Sequence, residues 1–176
     1  MNQELNTVLS EMDILWKNFV NCRAYFPCVP ENMVGQITVD TAPYYIKQGL
    51  KITFGFNEGL SKETIQKINE IGHWVNQNFV VRLCALLESH HVISNQIAID
   101  QNIQGWEELD LVRRLRNYFA HSSGKYNPEK DEHRKTMKKL VSHLNLGAED
   151  REDFPLAIDT VLEQLFLGCK KYVKGK

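Results

Sequence analysis

Leu5, Val8, Leu9, Met12, Leu15, Trp16 and Phe19 recur at steps of three and four. That spacing puts them on one stripe of a helix over roughly residues 3–22, amphipathic and packed on a core. The pattern stops between Cys22 and Asn32, where Pro27 and Pro30 remove backbone donors. Between Gly35 and Phe56 the β-branched and aromatic content rises, in Ile37-Thr38-Val39 and again in Lys51-Ile52-Thr53-Phe54, with Gly49 between. This predicts a small β-hairpin near 36–56. Ser61 stands three residues before Thr64 and can cap a helix. From there Ile65, Ile68, Ile71, Val75, Phe79, Leu83 and Leu86/Leu87 continue a helical stripe that is apolar almost all round over 80–87, as in a central, buried helix.

Three further helices are expected. One begins near Gly105, carries Trp106, Leu109, Val112, Leu115 and Phe119 inward, and stops at the turn formers Ser122-Ser123-Gly124. Asn127-Pro128 reads as an N-cap followed by proline at the first helical position, opening a helix to about Leu144. Ile158, Val161, Leu165, Cys169 and Tyr172 place the last from about Phe154 to Val173. The expectation is an all-α bundle of about five helices with a small β-hairpin insertion. It forms a single domain over 1–176, with a helix and connecting segment in 1–60 and a helical core in 61–176.

A chain of 176 residues, 43% hydrophobic and 24% charged, is long enough for one core and short for two. Its longest apolar stretch, 79–87, is broken by Arg82 and falls well short of the roughly 20 residues of a membrane span. The start, Met1-Asn2-Gln3-Glu4-Leu5, lacks the basic and apolar regions of a secretory signal, so a cytoplasmic protein is expected. Cys22, Cys28, Cys84 and Cys169 contain no CxxC pair and read as reduced packing residues, and the six histidines lack metal-ligand spacing, so no metal site is expected.

Charge changes the picture more than composition does. The formal net charge of -1 hides a block over 113–139 with nine Lys/Arg against three Asp/Glu, whereas 1–112 carries seven against thirteen. Such a block reads as a solvated basic face or as the footprint of a nucleic acid.

Inside that block lies Arg116. On a helical wheel with Trp106 at zero, Leu109, Val112, Leu115 and Phe119 fall at roughly 300°, 240°, 180° and 220°, and Arg116 at roughly 280°, within the apolar arc. Arg113, Arg114 and Asn117 fall outside it. A guanidinium keeps its charge, so Arg116 needs an acid, a phosphate, carbonyls or a route to water. Glu88, at the end of the central helix, is the obvious partner, and snorkelling past Leu109 is the alternative. His121, five residues on, is about 140° around an ideal helix, so the two side chains share a face only if the helix unwinds or a second chain supplies one of them. At a helix end His121 gains from the dipole and titrates near neutrality, which suits proton transfer.

The run Arg116-Asn117-Tyr118-Phe119-Ala120-His121 resembles the signature of the HEPN superfamily, an Arg, commonly a polar residue such as Asn after it, and a His after four to six intervening positions. Spacing alone predicts roughly 0.7 chance matches in this composition, and Arg114 satisfies it too; requiring Asn second lowers that to roughly 0.06. The resemblance covers roughly 61–173. It implies a HEPN-type helical bundle that pairs as a homodimer, with two motifs facing one cleft, and an endoribonuclease that needs no metal and no cofactor. His121 would then be the general acid or base, Arg116 would stabilise charge on the scissile phosphate, and Asn117 would orient the site. Arg113, Arg114 and Lys125 would attract the RNA backbone, while Tyr118 and Tyr126 would stack on bases or simply pack. A toxin or defence role implies a neutralising antitoxin. Other members of the superfamily are catalytically silent modules that bind RNA, nucleotide or a protein partner.

Overall fold

A computed structural model describes residues 3–47, 49–94, 96–121, 125–147 and 153–176. Among these, six α-helices and one two-stranded antiparallel sheet occur in the order α1 (Gln3–Tyr25), β1 (Thr38–Asp40), α2 (Pro43–Lys47), β2 (Thr53–Gly55), α3 (Lys62–Ser89), α4 (Trp106–His121), α5 (Asp131–Leu144) and α6 (Glu163–Gly175). The all-α architecture with a small β insertion is the one expected. The sixth helix is α2, a five-residue turn between the strands that the β-rich reading of 36–56 passes over. The chain forms two compact units, 16–76 and 1–15 with 77–176, whose boundaries fall within α1 and α3.

In the unit 16–76 the strands pair Thr38 with Gly55, Val39 with Phe54 and Asp40 with Thr53. Thr41 N–H donates to Ile52 O at 2.9 Å, one step beyond the ladder. Alternation turns Val39 inward onto Val29, Leu60 and Ile65. The proline segment, unable to join a sheet, is tied to α3 instead: Asn69 accepts from Val29 N–H at 2.8 Å and donates to Val29 O at 2.9 Å. Ser61 caps α3, its hydroxyl accepting from Thr64 N–H at 3.1 Å. Ile71 does not follow its stripe and is exposed, as is Trp74. Arg23 is buried, and neither its Nε nor its Nη1 has a hydrogen-bond partner. Gly72 makes room for it, since a Cβ there would stand 2.4 Å from Nη1.

In the other unit Val8, Leu9 and Met12 of α1, Leu83 and Leu87 of α3, Leu109, Val112 and Leu115 of α4, Leu140 of α5 and Leu165 of α6 supply buried side chains. The 80–87 stretch is one-sided rather than buried all round, because Arg82 and Ala85 are exposed. α4 packs closely on α6 through glycines. A Cβ on Gly168 would meet Glu108 side-chain atoms at 2.4 Å, and one on Gly105 would come within 2.0 Å of Gly168 O.

Two helix starts differ from expectation, each for a local reason. Asn127 does not cap α5; its Oδ1 accepts from Glu129 N–H at 2.8 Å and its carbonyl from Lys130 N–H at 3.2 Å, closing a separate turn before the helix opens at Asp131. The last helix does not start at Phe154, since Pro155 disfavours helical geometry in the residue before it. A wide turn over Ile158–Leu162 leads into α6 instead. Cys84 and Cys169 are buried packing residues, as expected, but Cys22 and Cys28 are exposed. No helix of the described residues is long and apolar enough to cross a membrane.

Candidate functional site

α4 carries the motif. Arg116, placed by sequence in the apolar arc, is half-buried with 30% of its side chain exposed, and meets Glu88 from the end of α3: Nη2 donates to Oε2 at 3.4 Å. Nη1 donates to Asn117 Oδ1 at 3.1 Å. The other face of Glu88 receives the Cys84 thiol at 3.9 Å. Burial, together with the Glu88 charge, pushes that thiol up to about 12. Of the five N–H donors of the Arg116 guanidinium, two are engaged by described residues, which leaves donors for an anion. Asn117 is exposed beside it.

His121 is the last residue of α4. Its side chain lies outside the described residues, as does the expected stop at Ser122-Ser123-Gly124. The backbone is helical through His121.

Three of the basic residues converge on one acid. Asp110, 7% exposed, is that acid: Arg114 Nε donates to Oδ2 at 2.8 Å, Lys139 Nζ to Oδ2 at 3.1 Å and Arg113 Nη2 to Oδ1 at 3.3 Å. Burial pushes the Asp110 carboxyl up, but the hydrogen bonds from Arg114 and Lys139 and their charges outweigh it and hold the group below its ordinary value. Arg114, whose own pKa is raised chiefly by the hydrogen bond to Asp110, also reaches Glu132 at 3.9 Å. Beside this cluster opens a cleft of about 620 Å³ between the start of α4, α5 and the segment 96–101, with Trp106 in its wall. Lys139 Nζ stands 4.8 Å from the Trp106 ring centre. Lys125 is exposed.

Tyr118 and Tyr126 pack rather than stand free. Tyr118 stacks on Phe154 with ring centres 5.3 Å apart and donates or shares its hydroxyl with Glu132 O at 3.0 Å and Thr136 Oγ1 at 2.9 Å. Tyr126 meets Phe154 edge-on at 5.3 Å. His133 lies in the same cluster, 4.1 Å from Tyr118, and its Nδ1 accepts from Asn127 N–H at 3.0 Å. Burial, and then Lys130, lower its pKa.

Sequence reasoning therefore reached Arg116, its partner Glu88, Asn117 and the Arg113/Arg114 pair. It missed Asp110, Lys139, Trp106 and His133. Asp110 was findable, since it precedes Arg113 and Arg114 by three and four residues. Lys139 comes from another helix and leaves no local signature. Among the described residues no group of three or more His, Cys, Asp or Glu is placed to hold a metal ion. Comparison with family models, with curated proteins and with solved structures finds no match to the chain.

Proposed function

We propose that the chain is a metal-independent endoribonuclease of the HEPN type that acts as a homodimer in the cytoplasm, as a toxin or defence effector with an antitoxin partner. The observation that carries this reading is Arg116 itself. It is held half-exposed between Glu88 and Asn117 with N–H donors to spare, five residues before a histidine at the helix end. In the reaction His121 takes the proton of a ribose 2′-hydroxyl or protonates the 5′-oxygen as it leaves. The 2′-oxygen bonds to phosphorus, the P–O5′ bond breaks, and a 2′,3′-cyclic phosphate and a 5′-hydroxyl result. Arg116 stabilises charge on the non-bridging oxygens and Asn117 holds the guanidinium in place.

α4 is helical through His121, and positions five apart on a regular helix lie about 140° around its axis. This supports a composite cleft that takes Arg116 from one copy and His121 from another. The Arg116–Glu88 ion pair also fits a second reading, a structural bridge in a catalytically silent binding module.

The test is cleavage of labelled RNA in EDTA by the wild-type chain and by Arg116→Ala and His121→Ala. Each substitution is expected to lower the rate at least about a hundredfold. An equimolar mixture of the two variants is expected to regain activity, since a mixed dimer rebuilds one intact cleft. Undiminished cleavage by both variants rejects the site, and no cleavage of any RNA with binding retained favours the silent module.

A further inference from the structure

We propose that the cleft beside Asp110 is a binding site for a nucleoside phosphate, offered either as a free nucleotide or as one unit of an RNA strand. Its walls combine three kinds of chemistry. Arg113, Arg114 and Lys139 surround the Asp110 carboxylate, and Arg114 also reaches Glu132, so three cations against two acids leave one net positive charge, and Asp110 holds the cations in fixed positions. Asp110 does not confront an incoming phosphate alone, because all three cations are bonded to its oxygens. Each guanidinium retains donors beyond those engaged by Asp110 and Glu132, in the planar fork that suits phosphate oxygens.

The lining also has an apolar and aromatic part, Ile97 and Ile99 from the 96–101 segment and the Trp106 indole, one face of which carries Lys139 Nζ 4.8 Å from the ring centre. The amides of Gln96 and Gln101 add donors and acceptors of the kind that read base edges. A simple anion has no use for the apolar wall, and a metal cation is repelled by the floor. A phosphate joined to a flat ring system uses both. The volume of about 620 Å³ lies within the roughly 300–1,000 Å³ of small-molecule sites.

Position ties the cleft to the candidate nuclease centre. Arg113 precedes Arg116 by one helical turn or slightly less, an axial rise of about 4.5 Å. A strand with one phosphate at Arg116 would thus place a neighbouring nucleotide in the cleft. This RNA form of the inference rests on the ribonuclease reading; the free-nucleotide form does not.

The experiment is a titration of the full chain with 5′-AMP, adenosine and inorganic phosphate, followed by tryptophan fluorescence, with Trp106→Phe identifying the responding indole. Saturable quenching by AMP that disappears in Trp106→Phe is expected, with adenosine and phosphate each binding much more weakly. Arg113→Gln and Lys139→Gln, checked for folding by circular dichroism, should each weaken AMP binding about tenfold through loss of a charged hydrogen bond. Arg116→Ala should bind AMP as the wild type does, so loss of RNA cleavage and loss of nucleotide binding are separable. A 2′-O-methyl RNA oligonucleotide that competes with AMP identifies an RNA strand as the ligand, and one that does not identifies a free nucleotide. The proposal is overturned if no Trp106-dependent signal arises, if inorganic phosphate binds as tightly as AMP, or if both Gln variants bind AMP unchanged.

Discussion

Replacing Asp110 by Asn removes one charge from beneath three cations and leaves the shape of the side chain nearly unaltered. Hydrogen bonds to charged groups contribute about 1.5–3 kcal/mol when they are shielded from water. Here the carboxylate is nearly buried, but the side chains of Arg113, Arg114 and Lys139 are 38%, 39% and 28% exposed. Solvent screening lowers each such contact to about 0.5–1 kcal/mol. Three contacts together make a loss of about 2 kcal/mol for Asp110→Asn, which in a chain of this size lowers the midpoint of thermal unfolding by about 4–8 °C. The same carboxylate has a pH signature. Its folded pKa lies below the unfolded value of about 3.9, so its stabilisation is complete above about pH 4 and is lost as the pH falls through the folded value. The Asn variant should lack that part of the acid-induced loss. Urea unfolding followed by circular dichroism at pH 7, and in steps from pH 5 to pH 2.5, measures both effects. A variant within about 0.5 kcal/mol of wild type at pH 7, with an unchanged acid slope, would refute the view that Asp110 organises the cluster.

Three other outcomes are expected. His133 is held neutral by burial and accepts from Asn127 N–H, so its folded pKa lies below the unfolded value; stability should therefore fall as the pH drops below about 6.5, and His133→Phe should flatten urea midpoints measured between pH 7.5 and 5. With the Cys84 thiol pushed up to about 12 and Cys169 raised by burial, a disulfide reagent at pH 8 should label only the exposed Cys22 and Cys28 in the folded chain, and all four thiols in urea. Labelling of Cys84 or Cys169 at the rate of Cys22 would contradict their burial. Burial lowers the pKa of Arg23, whose Nε and Nη1 lack partners, so Arg23→Met should raise the unfolding free energy by about 1–3 kcal/mol; a loss of stability would show that the guanidinium makes a needed contact.

Elements with local causes were legible in the sequence. The Ser61 cap, the stripe of α1 and the paired segments around Val39 and Phe54 each depend on neighbours within a few residues or on simple alternation. Boundaries failed where a short-range competitor won, as when Asn127 closed its own turn rather than capping α5 and Pro155 delayed α6. Ile71 shows the weakness of periodicity: a residue can keep step with a stripe and still face water. At the site, the wheel placed Arg116 where it would need an acid, a phosphate, carbonyls or a route to water, and Glu88 is the acid that meets it. The Asp110 cluster was half visible, because two of its cations sit on the same helix while Lys139 comes from α5, 29 residues away. Trp106 read as a core residue, and it is half-exposed in a cleft wall that includes residues 96–101, a segment with no periodic pattern.

The packing of α4 against α6 is achieved by leaving atoms out. At Gly105 and Gly168 the space that a side chain would need is already filled by backbone and by Glu108. The smallest change that selection can try at either position adds a methyl group, so tolerance there has no gradation. A saturation scan read out by growth or abundance should show these two positions as blank columns, although neither carries a charge, a hydroxyl or a ring. The helix bearing Arg116 and His121 would then be kept in place across any lineage of this chain by two residues that contribute no chemistry at all.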